Sequence, residues 1–165
     1  MKKKTISIVA VLAGAAVGAV SVMKFAETEL KKERENLTHA NQAAFKHLEL
    51  FLMANQWIRA KQKGKNIADY LFQKGYHRIA VYGMSYVGDT LVEELKGSKI
   101  QVIYGIDRNA DTLGTSLDVV TMEDKLEDVD AVIVTAITSY DDIKNELSKK
   151  AEFPVISLKD LLNEV

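Results

Sequence analysis

The run Ala131-Val132-Ile133-Val134-Thr135-Ala136 places the tightest limit on architecture. It is rich in β-branched residues and does not alternate apolar with polar. A strand with one face in water alternates; one that does not must be covered on both faces. Helices on both sides of a parallel sheet supply that cover, so the run predicts a central parallel strand. Its surroundings agree. Residues 78–83 and 101–106 read as strands, 117–120 and 154–158 as shorter ones. Helical patterns lie between them at 66–74, 89–96, 122–126 (a brief one), 140–149 and 159–164, the first capped by Asn66 and stopped by Gly75. Five strands with helical crossovers predict an α/β, doubly wound parallel sheet over residues 64–165, ordered 3-2-1-4-5.

Ahead of this domain, residues 5–23 carry no charge and are bracketed by Lys2-Lys3-Lys4 and Lys24. At about 1.5 Å per residue, such a helix spans close to the ~30 Å hydrocarbon core. Residues 1–23 are therefore expected to be a membrane anchor. A basic start, an apolar stretch and the small residues Ala13 and Ala15 also fit a cleaved signal peptide. Ala10, Gly14 and Gly18 recur every four residues, a face through which, together with the stem that follows, two copies can pair into a homodimer. Lys and Arg are plentiful on both sides, so charge does not orient the segment.

Residues 24–63 contain neither proline nor glycine and are dominated by helix formers, predicting a helical stem. Leu30, Leu37, Ala44, Phe51 and Ile58 stand seven apart. The column three residues further on (Glu33, Ala40, His47, Ala54, Lys61) is mostly polar or small, so a two-column seam is not supported; a helix is expected, with a coiled coil as the alternative. The cluster Phe45, Leu48, Phe51, Leu52 and Trp57 is expected to pack on the following domain.

Charge is divided between the halves. Residues 1–65 carry 12 Lys/Arg against 5 acids, and the remaining 100 carry 10 against 18. A basic stem suits an anionic membrane surface, whereas an acidic domain repels phosphate backbones, so nucleic acid is not an expected partner. The chain has no cysteine, which excludes disulfides, thiolate metal sites and thiol chemistry. His39 and His47 have no second ligand set at metal spacing.

The residues with chemical content follow the first strand. Gly83-Met84-Ser85-Tyr86-Val87-Gly88 joins it to a helix, and Asp107 stands at the tip of the next strand, 19 residues after Gly88. Gly83 permits a tight turn, and Gly88 lets the helix pack against the strand. The helix start offers free N–H groups and a positive dipole end to a phosphate. Asp107 can accept from ribose hydroxyls. Strand, glycine turn, helix, strand and acid together resemble the nucleotide-binding half of the Rossmann family. Ser85 occupies the position where that family has its middle glycine, so its side chain takes space a pyrophosphate would use. This favours a mononucleotide, a nucleotide sugar or a CoA-like ligand over a full dinucleotide, with NAD(P) retained as a candidate. The resemblance implies a site at Gly83, Met84, Ser85, Tyr86, Gly88, Asp107 and Arg108, facing Ala136 after the fourth strand. The alternative reading is that the glycines merely turn the sheet and Asp107 caps a loop.

From residue 55 onward the pattern is also similar to small membrane-anchored modules of bacterial cell-surface polysaccharide biosynthesis. That resemblance implies a sugar-nucleotide or polysaccharide context and identifies no reaction. The domain is expected to face the cytoplasm on a single-pass anchor, because its expected ligands are cytosolic, with a protein as a further candidate partner. Tyr140 and Lys144 have the Tyr-x-x-x-Lys spacing of short-chain dehydrogenases, but they open the helix after the fourth strand, and a packing role is expected. The expectation is a membrane-tethered nucleotide or nucleotide-sugar binding module, accessory or sensory, without a catalytic lobe. The alternatives are a small NAD(P)- or nucleotide-sugar-dependent enzyme completed by dimerisation or a partner, and a scaffold with a vestigial Rossmann domain.

Overall fold

The computed structural model describes the backbone of residues 2–114 and 117–165, and the side chains of 23–114 and 117–165. The chain divides into two compact units, Met1–His47 and Leu48–Val165. Helix α1 (Lys2–Gln62) runs through the first and opens the second. Among the described residues no helix is long and apolar enough to cross a membrane. The uncharged run 5–23, with Ala10, Gly14 and Gly18, lies outside the described side chains except for Met23.

In the second unit the order is α2 (Ile67–Gln73), β1 (Arg78–Tyr82), α3 (Tyr86–Leu95), β2 (Gln101–Ile106), β3 (Val119–Val120), β4 (Ala131–Val134), α4 (Tyr140–Leu147), β5 (Val155–Ser157) and α5 (Leu158–Glu164). The five strands form one all-parallel sheet, β3-β2-β1-β4-β5, in the expected order. Tyr82 at the end of β1 pairs with Ile106 on one side and Val134 on the other.

The lack of alternation in the central strands is explained by where each face goes. Ile79 and Val81 of β1, with Ala131 and Ile133 of β4, pack beneath α1, α2, α3 and α5. Ala80, Tyr82, Val132 and Val134 face the opposite layer, built on Ile143 and Leu147 of α4. Each face has its own core, so residues 79–82 of β1 and all of β4 are buried, apolar or aromatic positions.

Local chemistry sets the element ends. Asn66 Oδ1 accepts the Asp69 N–H at 2.7 Å and starts α2. Residues 122–126, expected as a brief helix, form a turn instead. The Asp124 carboxylate takes the Thr121 N–H at 2.7 Å and its hydroxyl at 2.8 Å, closing the chain locally before a helix can start. Those two bonds, the backbone one first, hold the Asp124 carboxyl below the usual carboxylate range. At the amino ends of β1 and β4, Asp130 accepts the N–H groups of Arg78 and His77, each at 2.7 Å, and its pKa is lowered for the same reason.

The stem cluster is corrected. Trp57 packs in the core with Met53 and Ala60, but Phe45, Leu48, Phe51 and Leu52 remain exposed. At 100° per residue, Met53, Trp57 and Ala60 share a face that Leu48, Phe51 and Leu52 cannot reach. Polar contacts reinforce this docking. Gln56 Nε2 donates to the Leu162 carbonyl at 2.8 Å, and Lys159 bonds Glu49. Trp57 Nε1 donates to Glu94 Oε2 at 2.6 Å. The Lys61 ammonium pairs with Glu94 Oε1 at 3.1 Å without hydrogen-bond alignment.

Candidate functional site

The strand order makes β1 and β4 neighbours whose following helices leave to opposite faces. In open α/β sheets this divergence creates a crevice at the carboxyl ends of the strands. Gly83, directly after β1, has φ +93°, a conformation L side chains rarely adopt. Its N–H donates to the Ile106 carbonyl at 2.8 Å, which turns the chain back over β2. A β-carbon on Gly83 would lie 2.6 Å from Thr135 Oγ1. The Thr135 hydroxyl reaches the Gly83 carbonyl at 2.7 Å and the Tyr82 carbonyl at 3.0 Å. Against that same Gly83 carbonyl sits Gly88, where a β-carbon would stand 2.2 Å from the oxygen. One glycine makes the turn and the other lets α3 close on it.

Met84 turns inward and is buried, its side chain lying across β2. Gly105 makes room: a β-carbon there would meet Met84 Cγ at 2.7 Å. The Met84 N–H donates to Asp107 Oδ2 at 2.8 Å, and the Asn109 N–H to Asp107 Oδ1 at 3.0 Å. Asp107 in turn donates its own N–H to the Val120 carbonyl at 3.0 Å. This aspartate therefore ties the turn after β1 to the turn after β2 and to β3. Each carboxylate oxygen keeps one lone pair for a further donor.

Ser85 is the N-cap of α3, with extended backbone and no capping bond from its side chain. The helical ladder begins with Asp89 N–H on the Ser85 carbonyl at 2.9 Å. The N–H groups of Tyr86, Val87 and Gly88 thus have no acceptor within the helix. They form a cradle for an anion, although Asp89 already places one carboxylate in the same turn.

The structure gathers Gly83, Met84, Gly88 and Asp107 into one knot. Ala136 stands against it, its N 3.5 Å from the position of a Gly83 β-carbon. Ser85 and Tyr86 form an exposed rim, Tyr86 at 90% exposure, and Arg108 projects into solvent. Sequence reasoning passed over Thr135, whose buried hydroxyl locks β4 to the turn. Its signal was one hydroxyl residue within an otherwise apolar strand run.

The Tyr140–Lys144 spacing carries packing. Tyr140 OH donates to the Val155 carbonyl at 2.9 Å, and Lys144 Nζ lies 5.7 Å from the ring centre. Among the described residues no group of three His, Asp or Glu side chains is placed to hold a metal. Set against known proteins, the chain gives no match to a family model, a curated protein or a solved structure.

Proposed function

We propose that this protein is a membrane-tethered binding module for a nucleotide or nucleotide sugar. The phosphate would lie on the Tyr86, Val87 and Gly88 N–H groups. The observation that carries this reading is the start of α3, left uncapped by Ser85 at the crevice between β1 and β4. Binding rather than turnover fits the polar side chains around the crevice. Thr135 and Tyr140 donate to backbone carbonyls, and Asp107 accepts backbone N–H groups. The tether rests on the uncharged run 5–23 and the basic residues after it, with the domain facing the cytoplasm.

The test is a thermal-shift panel on the full chain with NAD, NADP, CoA, nucleotides and nucleotide sugars. A ligand at ~100 times its Kd adds about 2.7 kcal/mol. Tyr86→Pro removes one cradle N–H at the first helical position, where proline is tolerated, and Tyr86→Ala keeps that N–H. Stabilisation retained in Tyr86→Ala and lost in Tyr86→Pro supports the reading; a flat panel on folded protein overturns it. The tether is checked by whether the chain stays with membranes through a high-salt wash.

A second reading has its own observation. Both Asp107 oxygens already bind the protein's own backbone, as in a domain whose turn serves the fold and whose role is scaffolding. A flat panel would favour it.

A further inference from the structure

Helix α1 commits one face to its own domain and leaves in solvent another that carries an apolar residue at every seventh position. Met53, Trp57 and Ala60 are buried, while Leu48, Phe51 and Ile58 on the same stretch are each more than half exposed. The sequence continues this division backwards. Leu30, Leu37, Ala44, Phe51 and Ile58 stand seven apart, and Arg34, Asn41, Leu48 and Asn55 fall four residues after the first four of them. The alternating spacing of four and three is that of d and a positions in a heptad. In this frame Met53 and Ala60 are f and Trp57 is c. Within the second unit the sheet domain therefore docks on the outer face of the heptad and leaves Leu48, Phe51 and Ile58 uncovered. Column a, not the column beginning at Glu33, is the partner of the Leu30 column.

We propose that this seam pairs with the same seam of a second copy of the chain, in parallel and in register. The period argues for a helical partner, because a stripe held at seven residues supercoils with another such helix. The polar a positions argue that the partner is an identical chain. Two-fold symmetry sets Asn41 against Asn41 and Asn55 against Asn55, and an amide, donor and acceptor at once, bonds its own copy. Asn at a is also what fixes register in paired helices, at a cost in stability. The same symmetry sets Arg34 against Arg34, a like-charge pair that the adjacent Glu33, at g in each copy, offsets. Area agrees as well. Six large apolar side chains at a and d, from Met23 to Ile58, are exposed, as are Phe45 and Leu52 at e. At roughly 100 Å² each they offer about 800 Å² per copy, the size of a standard stable interface.

The absence of cysteine makes the test direct. Asn41→Cys, Asn55→Cys and Lys46→Cys are made singly in the full chain, Lys46 lying at f. All three positions are exposed, so folding is not at risk. Under mild oxidation the two seam variants should form the symmetric disulfide at least roughly tenfold faster than Lys46→Cys, since only they hold the thiols at high effective concentration. Sedimentation should give a dimer mass, lost in a Leu37→Glu, Phe51→Glu double variant. Equal cross-linking at positions 41 and 46, or a monomer mass for the unmodified chain, overturns the proposal. Preferential cross-linking of a mixed Asn41→Cys and Asn55→Cys sample also overturns it, because that marks an antiparallel pair. None of these outcomes depends on nucleotide binding.

Discussion

A β-carbon on Gly88 would stand 2.2 Å from the carbonyl oxygen of Gly83, so the start of α3 and the end of β1 touch backbone to backbone. That carbonyl cannot retreat freely, because it also accepts the Thr135 hydroxyl at 2.7 Å. Gly88→Ala should therefore cost about 1–3 kcal/mol through overpacking against rigid backbone. Denaturant midpoints measure it. Gly114→Ala, where a β-carbon meets nothing within 4 Å, is the control and should change stability little.

Asp107 supports the same turn electrostatically. Asp107→Ala removes the acceptor for the Met84 and Asn109 N–H groups and should cost about 1–3 kcal/mol. Asp107→Asn keeps one oxygen and should cost less. Hydrogen exchange at the Met84 amide checks the assignment, with faster exchange in the alanine variant than in the asparagine one.

The Trp57–Glu94 bond fastens α1 to α3 inside the second unit. Glu94 is 8% exposed at its side chain, so its carboxylate needs both the indole N–H and the Lys61 ammonium. Trp57→Phe keeps most of the packing yet leaves a buried charge short of a donor, at an expected cost of about 2 kcal/mol. Adding Glu94→Met to that variant should recover part of the loss. A double-mutant cycle in urea measures the coupling.

Tyr104 links stability to high pH. Burial, then the carboxylates of Glu127 and Asp128, push its phenol up to about 12, and it donates to the Glu127 carbonyl at 2.9 Å. The folded state thus holds this proton more tightly than the unfolded chain, whose value is 10.0. Its contribution is complete below pH 10 and is lost as pH rises towards 12. Tyr104→Phe should cost about 1 kcal/mol at neutral pH, and the deficit should shrink over that alkaline range. Unfolding midpoints of both proteins at neutral and alkaline pH give the comparison.

The strands and the glycine turn were legible because each rests on short-range rules, and the strand order followed from the topological rules for helical crossovers. Ala131–Val134 had to be covered on both faces, and Asn66 and Gly75 punctuate a helix wherever it lies. The brief helix at 122–126 was misread because Asp124 captures Thr121, a contest between side chain and backbone that periodicity does not register. Asp107 could be placed at the tip of β2 from spacing alone. That its carboxylate binds Met84 depends on how closely two turns approach, and no local pattern encodes that distance.

The same division runs along α1. Its helicity and its seven-residue column are written in residue type and spacing, because every helix rises and turns by the same amount per residue. Which face meets the sheet was settled by long-range partners. Glu94 and Leu162 sit where Trp57 and Gln56 can bond them, so Trp57 went into the core and Phe51 was left in water. Such a choice depends on groups distant in sequence competing for one surface, and it exists only once the sheet and its helices have assembled.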